Sequence, residues 1–120
     1  MSKETIKELK PIILRDEETG RVYTLRFTRA TVRKLEQQGF DVNDIDKHPM
    51  TRIPEIFYGA FLAEHPYIKR SETDDILFNR LGGMSDAMLE RLGELYAEPF
   101  NTLIATEDDS KNPRTMAVEL

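Results

Sequence analysis

YTLRFTRATVRKLEQQGF, residues 23–40, passes from one hydrophobic period to another without a break. Over its first six residues Tyr23, Leu25 and Phe27 alternate with Thr24, Arg26 and Thr28, the period of two that gives a strand one buried face. From Arg29 the spacing changes. Val32 and Leu35 form a short helical stripe, Thr28 stands where an N-cap belongs, and Gly39 stands where a left-handed residue ends a helix. Phe40 and Leu35 then occupy the two positions that touch in a Schellman stop. A strand that runs directly into a capped helix presents a surface; it carries no reactive group.

Upstream, Lys10–Asp16 (KPIILRD) is a short apolar strand with Pro11 at its start, which suits a sheet edge because proline has no N–H for a ladder. Asp16–Gly20 (DEETG) is a connection of about five residues whose glycine is free to take positive φ, so the two strands form an antiparallel hairpin. Two strands alone are marginal in water, and the face of Tyr23, Leu25 and Phe27 needs helices over it.

The remaining periodicity supplies them. Asp41–Ile45 reads as a turn, and His48-Pro49 as a break. A second helix is expected over residues 51–64, with Ile53, Ile56, Phe57, Ala60 and Phe61 on one face and Pro54 in its first turn. His65-Pro66 ends it. A third, starting at Ser71 with Asp74, carries Ile76, Leu77 and Leu81 and stops at Gly82-Gly83. A fourth starts at Ser85, with Met84 stapled onto Leu89, and runs through Leu92, Leu95 and Tyr96 to Pro99, where it must kink or restart. Phe100, Leu103 and Ile104 carry the last apolar turns. The fold class expected is α+β and predominantly helical: an N-terminal antiparallel β-hairpin on about four short helices. Residues 1–9 form a polar lead-in, 10–105 the folded domain, and 106–120 a disordered acidic tail.

Composition narrows the function. The chain has 120 residues, a formal net charge of −5, 39% hydrophobic and 32% charged residues. Residues 1–50 hold ten basic and nine acidic side chains, residues 51–120 seven and thirteen, so the acidity sits in the C-terminal part. No dense basic stripe is present, which counts against phosphate-backbone binding. Cysteine is absent, which excludes disulfides and thiolate chemistry and fits a reducing compartment. MSKETIKELKPII lacks a signal-peptide core, and no apolar run is long enough to span a bilayer; the expected location is cytoplasmic, with no membrane partner.

Chemistry is hard to place. His48 and His65 each precede proline and lack an HxxxH or HExxH partner, so they read as loop histidines. The carboxylates at Asp16-Glu17-Glu18, Asp74-Asp75 and Glu107-Asp108-Asp109 lack the alternation and central glycine of a calcium loop. Gly82-Gly83 has none of the flanking residues of a phosphate loop, and Ser2, Ser71, Ser85 and Ser110 lie in no nucleophile elbow. The reading is therefore non-enzymatic, with no cofactor and no metal. What remains is binding. Tyr58, Tyr67 and Phe78 fit the core stripes less well: burial in the core is the ordinary reading of each, and exposure makes them the candidate protein-contact residues; the terminal TMAVEL reads first as a disordered end and otherwise as a strand that could add to a partner's sheet.

Taken together, the hydrophobic-Arg-Phe strand, TVRKLEQQGF, IPEIFYGAFLAEHP, MLERLGELYAEPFNTLI and the acidic tail give a chain that resembles the small tail assembly chaperones of long-tailed bacteriophages and prophages, over about residues 10–106. The resemblance rests on element order and segments, not on an active-site signature. It implies a non-enzymatic chaperone in the host cytoplasm that binds the tape measure protein and the major tail tube protein during tail morphogenesis. It also implies homo-oligomers in some members and absence from the mature virion. It further implies a longer form made by −1 frameshifting, for which Ser110-Lys111-Asn112 could encode the slippery heptamer A-AAA-AAC. The alternative is a small helical DNA-binding regulator, supported by Arg26, Arg29, Arg33 and Lys34 and opposed by the acidic total.

Overall fold

The computed structural model describes residues 9–103 and 115–120. The lead-in before Leu9 and the acidic stretch 104–114, with Ile104 and the frameshift position, lie outside the described residues. Residues 115–120 have no regular structure, and their side chains are exposed.

Strands β1 (Ile12–Arg15) and β2 (Val22–Leu25) pair antiparallel, with Ile12 opposite Leu25 and Arg15 opposite Val22. Their connection closes by two backbone bonds, Asp16 N–H to Arg21 O and Gly20 N–H to Asp16 O, both 2.7 Å. Gly20 has φ +78°, the region that costs an L-residue steric strain. The Asp16 carboxylate accepts from the Glu18 and Thr19 amides and from Arg80. These bonds, the Glu18 amide foremost, hold its pKa below the ordinary value. Leu25 and Phe27 are buried and Tyr23 half-buried, on the face the alternation assigns inward.

Helix α1 (Arg29–Gln37) has the ends its residues dictate. The Thr28 hydroxyl accepts from the Thr31 amide at 3.2 Å while the Thr31 hydroxyl accepts from the Thr28 amide at 2.9 Å, a reciprocal cap. At the other end Phe40 N–H donates to Leu35 O (2.9 Å) and Gly39 N–H to Glu36 O (3.0 Å), the paired bonds of a Schellman motif, with Gly39 at φ +94°. Leu35 and Phe40 are both buried. A single 3₁₀ turn, Val42–Asp44, follows, capped by Asp41.

Helix α2 (Pro49–Phe61) starts two residues before the expected position, so Pro54 lies inside it and not in its first turn. Pro49 takes the N1 place instead, where a missing N–H has no intrahelical partner to lose. This helix is the centre of the fold, touching β2, α1, α3 and α4. Ile56, Phe57, Ala60 and Phe61 have essentially no exposed surface. Gly59 lets α1 approach: a Cβ there would collide with Leu35 Cδ1 and lie 2.9 Å from Leu35 Cδ2.

Helix α3 (Arg70–Asp75) is capped at Lys69 and not at Ser71, because Glu72 reaches back to the Lys69 amide at 2.9 Å. It opens into a π turn, Ile76–Arg80, closed by Leu81 N–H to Ile76 O (2.7 Å), then stops at Gly82 and Gly83, both at positive φ. Helix α4 (Asp86–Ala97) has its N-cap at Ser85 and buries Leu92, Leu95 and Tyr96. At Pro99 the chain tightens to a 3₁₀ turn, Glu98–Thr102. Proline cannot donate back to the preceding turn, so the rotation of α4 is lost. Phe100 and Leu103 consequently leave the core stripe and are exposed. The architecture is α+β, an N-terminal hairpin with four helices.

Candidate docking surface

No helix among the described residues is long and apolar enough to cross a membrane, and no cluster of three His, Cys, Asp or Glu side chains that could hold a metal occurs among them. The histidines have structural partners. His65 Nε2 accepts from the Thr24 amide at 3.1 Å, and its ring stacks edge-on to Tyr23. His48 Nδ1 lies 2.9 Å from Asp44 Oδ1.

Asp44 is also held by Arg52 Nε at 2.8 Å, and Arg52 reaches Glu55 at 2.8 Å and the Gly39 carbonyl at 3.2 Å. One guanidinium thus ties the end of α1, the 3₁₀ turn and the first turns of α2. The hydrogen bond from Arg52, with that from His48, holds the Asp44 carboxyl below its ordinary range. Tyr96 is the buried aromatic hub, edge-on to Phe27 at 5.2 Å and to Phe40 at 5.3 Å. Burial, with the charges of Glu36 and Asp41, pushes its hydroxyl up to about 12. These groups build the body.

The surface is more informative. The first turns of α2 and the π turn after α3 enclose an apolar groove of about 200 Å³ lined by Pro49, Met50, Ile53, Pro54, Leu77, Phe78, Gly83 and Met84. Met50 is 84% exposed and Phe78 54%, while neighbouring Leu77 is 2% exposed. Thr73 and Leu77, four apart, both face the core. Phe78 and Leu81, on the π turn and just after it, are exposed beside that buried pair.

A second groove, about 430 Å³, lies between α1 and the last 3₁₀ turn, lined by Arg29, Val32, Arg33, Glu36, Pro99, Phe100 and Leu103. Arg26, of the same basic cluster in the sequence, is paired with Glu64. A third, about 420 Å³, lies between the hairpin turn and the π turn, and Arg80 bonds Asp16 along its wall.

The three candidate contact residues occupy different places. Phe78 lines the apolar groove. Tyr67, in the turn between α2 and α3, is 93% exposed and lines none of these grooves. Tyr58 is half-buried, in a small cleft with Leu35, Gln38, Phe40, Glu55 and Arg70. Sequence reasoning missed Met50 and Met84 as groove walls. The available signal was Pro49 at N1, which brings Met50 onto the same stripe as Ile53, Pro54 and Phe57.

No curated protein and no solved structure matches the chain. One family model does, over residues 1–120, and the chain belongs to that family, the Domain of unknown function (DUF5055).

Proposed function

We propose that this protein is a non-enzymatic phage or prophage tail assembly chaperone, which holds the tape measure protein and tail tube subunits during tail morphogenesis in the host cytoplasm and leaves before the virion is complete. The observation that supports it is the groove formed by Met50, Ile53, Leu77, Phe78 and Met84, an apolar strip on a body with 32% charged residues. Such a strip suits the apolar face of a long helix, with aromatic and methionine side chains that adapt to many sequences. A shallow groove also lets tube subunits displace the chaperone as they arrive.

The experiment is co-expression with the tape measure protein encoded in the same genome. The expected result is a soluble complex on size exclusion, at least tenfold weakened by Phe78→Asp or Met50→Asp, with the melting temperature of the free variants unchanged. A tape measure protein that stays insoluble, or a complex indifferent to both variants, overturns the reading. The DNA-binding alternative makes the opposite forecast: duplex retention that falls steeply with salt. The pairing of Arg26 with Glu64, and the placing of Arg29 and Arg33 along a groove with Phe100 and Leu103, favour the protein partner.

A further inference from the structure

We propose that a second copy of this chain pairs with the outer edge of β1, antiparallel about Ile13, so that two hairpins form one four-stranded sheet across a twofold axis.

The register of the hairpin says which backbone groups are spare. Asp16 N–H bonds Arg21 O, and Asp16 stands opposite Arg21 in the same register that sets Leu14 against Tyr23 and Ile12 against Leu25. In an antiparallel pair hydrogen-bonded positions alternate. Positions 12, 14 and 16 therefore turn their bonds toward β2, and Ile13 and Arg15 turn theirs away. The same alternation turns Thr24 outward on β2, where its N–H is taken by His65 Nε2, and two residues on Arg26 N–H is taken by Ala60 O at 3.0 Å. The outer edge of β2 is thus covered by the end of α2. Among the described residues no hydrogen bond reaches the outward amides of Ile13 or Arg15.

An open edge is a template for another strand, and proteins blunt such edges with proline or charge. Here Pro11 stands at one end and the exposed Arg15 at the other, and Ile13, 51% exposed, lies between them. A second β1 fits that pattern. With the axis at Ile13, the two Ile13 residues exchange two hydrogen bonds, and each Arg15 N–H donates to the other copy's Pro11 carbonyl, four bonds in all. Pro11 then sits where its missing donor leaves only a solvent-facing carbonyl without a partner. Ile12 meets Leu14 on the inner face, and Lys10 meets Asp16, opposite charges at both ends. A register centred one residue further on keeps four bonds but sets Asp16 against Ile12 on the inner face, and so is disfavoured.

The test uses the whole chain. Sedimentation equilibrium over a concentration series is expected to give a monomer–dimer equilibrium. Ile13→Pro removes an outward N–H that carries no bond within the chain, and Ile13→Lys sets two ammonium groups side by side; each is expected to weaken the dimer at least tenfold with unchanged circular dichroism. Should the proline variant unfold, the lysine variant carries the measurement. Because the chain has no cysteine, Ile13→Cys is expected to oxidise to a covalent dimer at dilute concentration, since directly opposed Cα atoms lie about 5.5 Å apart, within disulfide reach. Val22→Cys, on the same exposed face but on the other strand, is the control. A monomer at every concentration, a dimer that survives Ile13→Lys, or equal cross-linking through Val22 overturns the proposal. The groove variants Phe78→Asp and Met50→Asp are expected to leave the dimer intact, so this test and that of tape measure binding fail independently.

Discussion

Helices α1 and α3 are both short, nine and six residues, and they differ in how far their own residues specify them. In α1 the cap at Thr28, the stripe of Val32 and Leu35, and the stop at Gly39 and Phe40 agree with one another and with the packing. In α3 the cap is a lysine backbone held by Glu72, the helix widens after six residues, and the turn that follows leaves Phe78 and Leu81 in water. Where local and tertiary preferences coincide the chain makes a scaffold; where they part it keeps apolar surface available. That division puts the candidate groove against the less determined helix and its supports on the better determined ones.

The most severe way to break the comparison is to attack the scaffold. Phe61→Asp places an unpaired charge where no surface is exposed, at a cost of about 4 kcal/mol or more, enough to unfold a domain of ordinary stability. A far-ultraviolet melt like that of the wild type would show that the core is assigned wrongly. Gly59→Ala tests the α1–α2 approach. Alanine gains roughly 1 kcal/mol of helix propensity, but forcing buried Leu35 aside costs about 1–3 kcal/mol, so the expected outcome is a net loss near 1 kcal/mol in urea unfolding. A stabilised variant would mean that Leu35 has room to move.

The caps compare the two helices directly. Thr28→Ala removes a reciprocal cap that packing also uses, and is expected to cost about 1 kcal/mol. Glu72→Ala removes the corresponding bond from the exposed start of α3, with an expected cost below about 0.5 kcal/mol. Equal losses would erase the distinction drawn between the helices. The gentlest probe is pH. Asp44 has a folded pKa below its ordinary 3.8, so its link to Arg52 stabilises the fold above that value and is lost as pH falls through the lower folded pKa. Melting temperatures of wild type and Asp44→Asn should therefore differ at pH 7 and converge as the solution is acidified below about pH 4. A gap that persists into strong acid would mean that Asp44 acts by shape and not by charge.

Much of the body was legible in the residues. The alternation of Tyr23, Leu25 and Phe27, the stop at Gly39-Phe40 and the cap at Ser85 were readable because each is a local signal whose preference packing did not oppose. The start of α2 was set two residues late because His48-Pro49 reads equally as a break and as a cap followed by N1. Of the candidate groove, Phe78 was nameable from its poor fit to the stripes and is exposed; Tyr67 is exposed too but lines none of the grooves, and Tyr58 is half-buried in a separate cleft. Met50 and Met84 were not nameable, since a groove wall depends on which neighbour arrives opposite it.

The residues by themselves determined a hairpin leading into a capped helix, and the α+β class with it, because hydrophobic period and capping act within a few positions of the chain. Only the tertiary structure decided that α3 would widen into a π turn, that Pro99 would turn Phe100 and Leu103 outward, and that His65 would close one sheet edge while the other has no partner among the described residues. Those outcomes depend on contacts between residues far apart in the chain, such as Thr24 with His65, and so on which surfaces meet first and leave others uncovered.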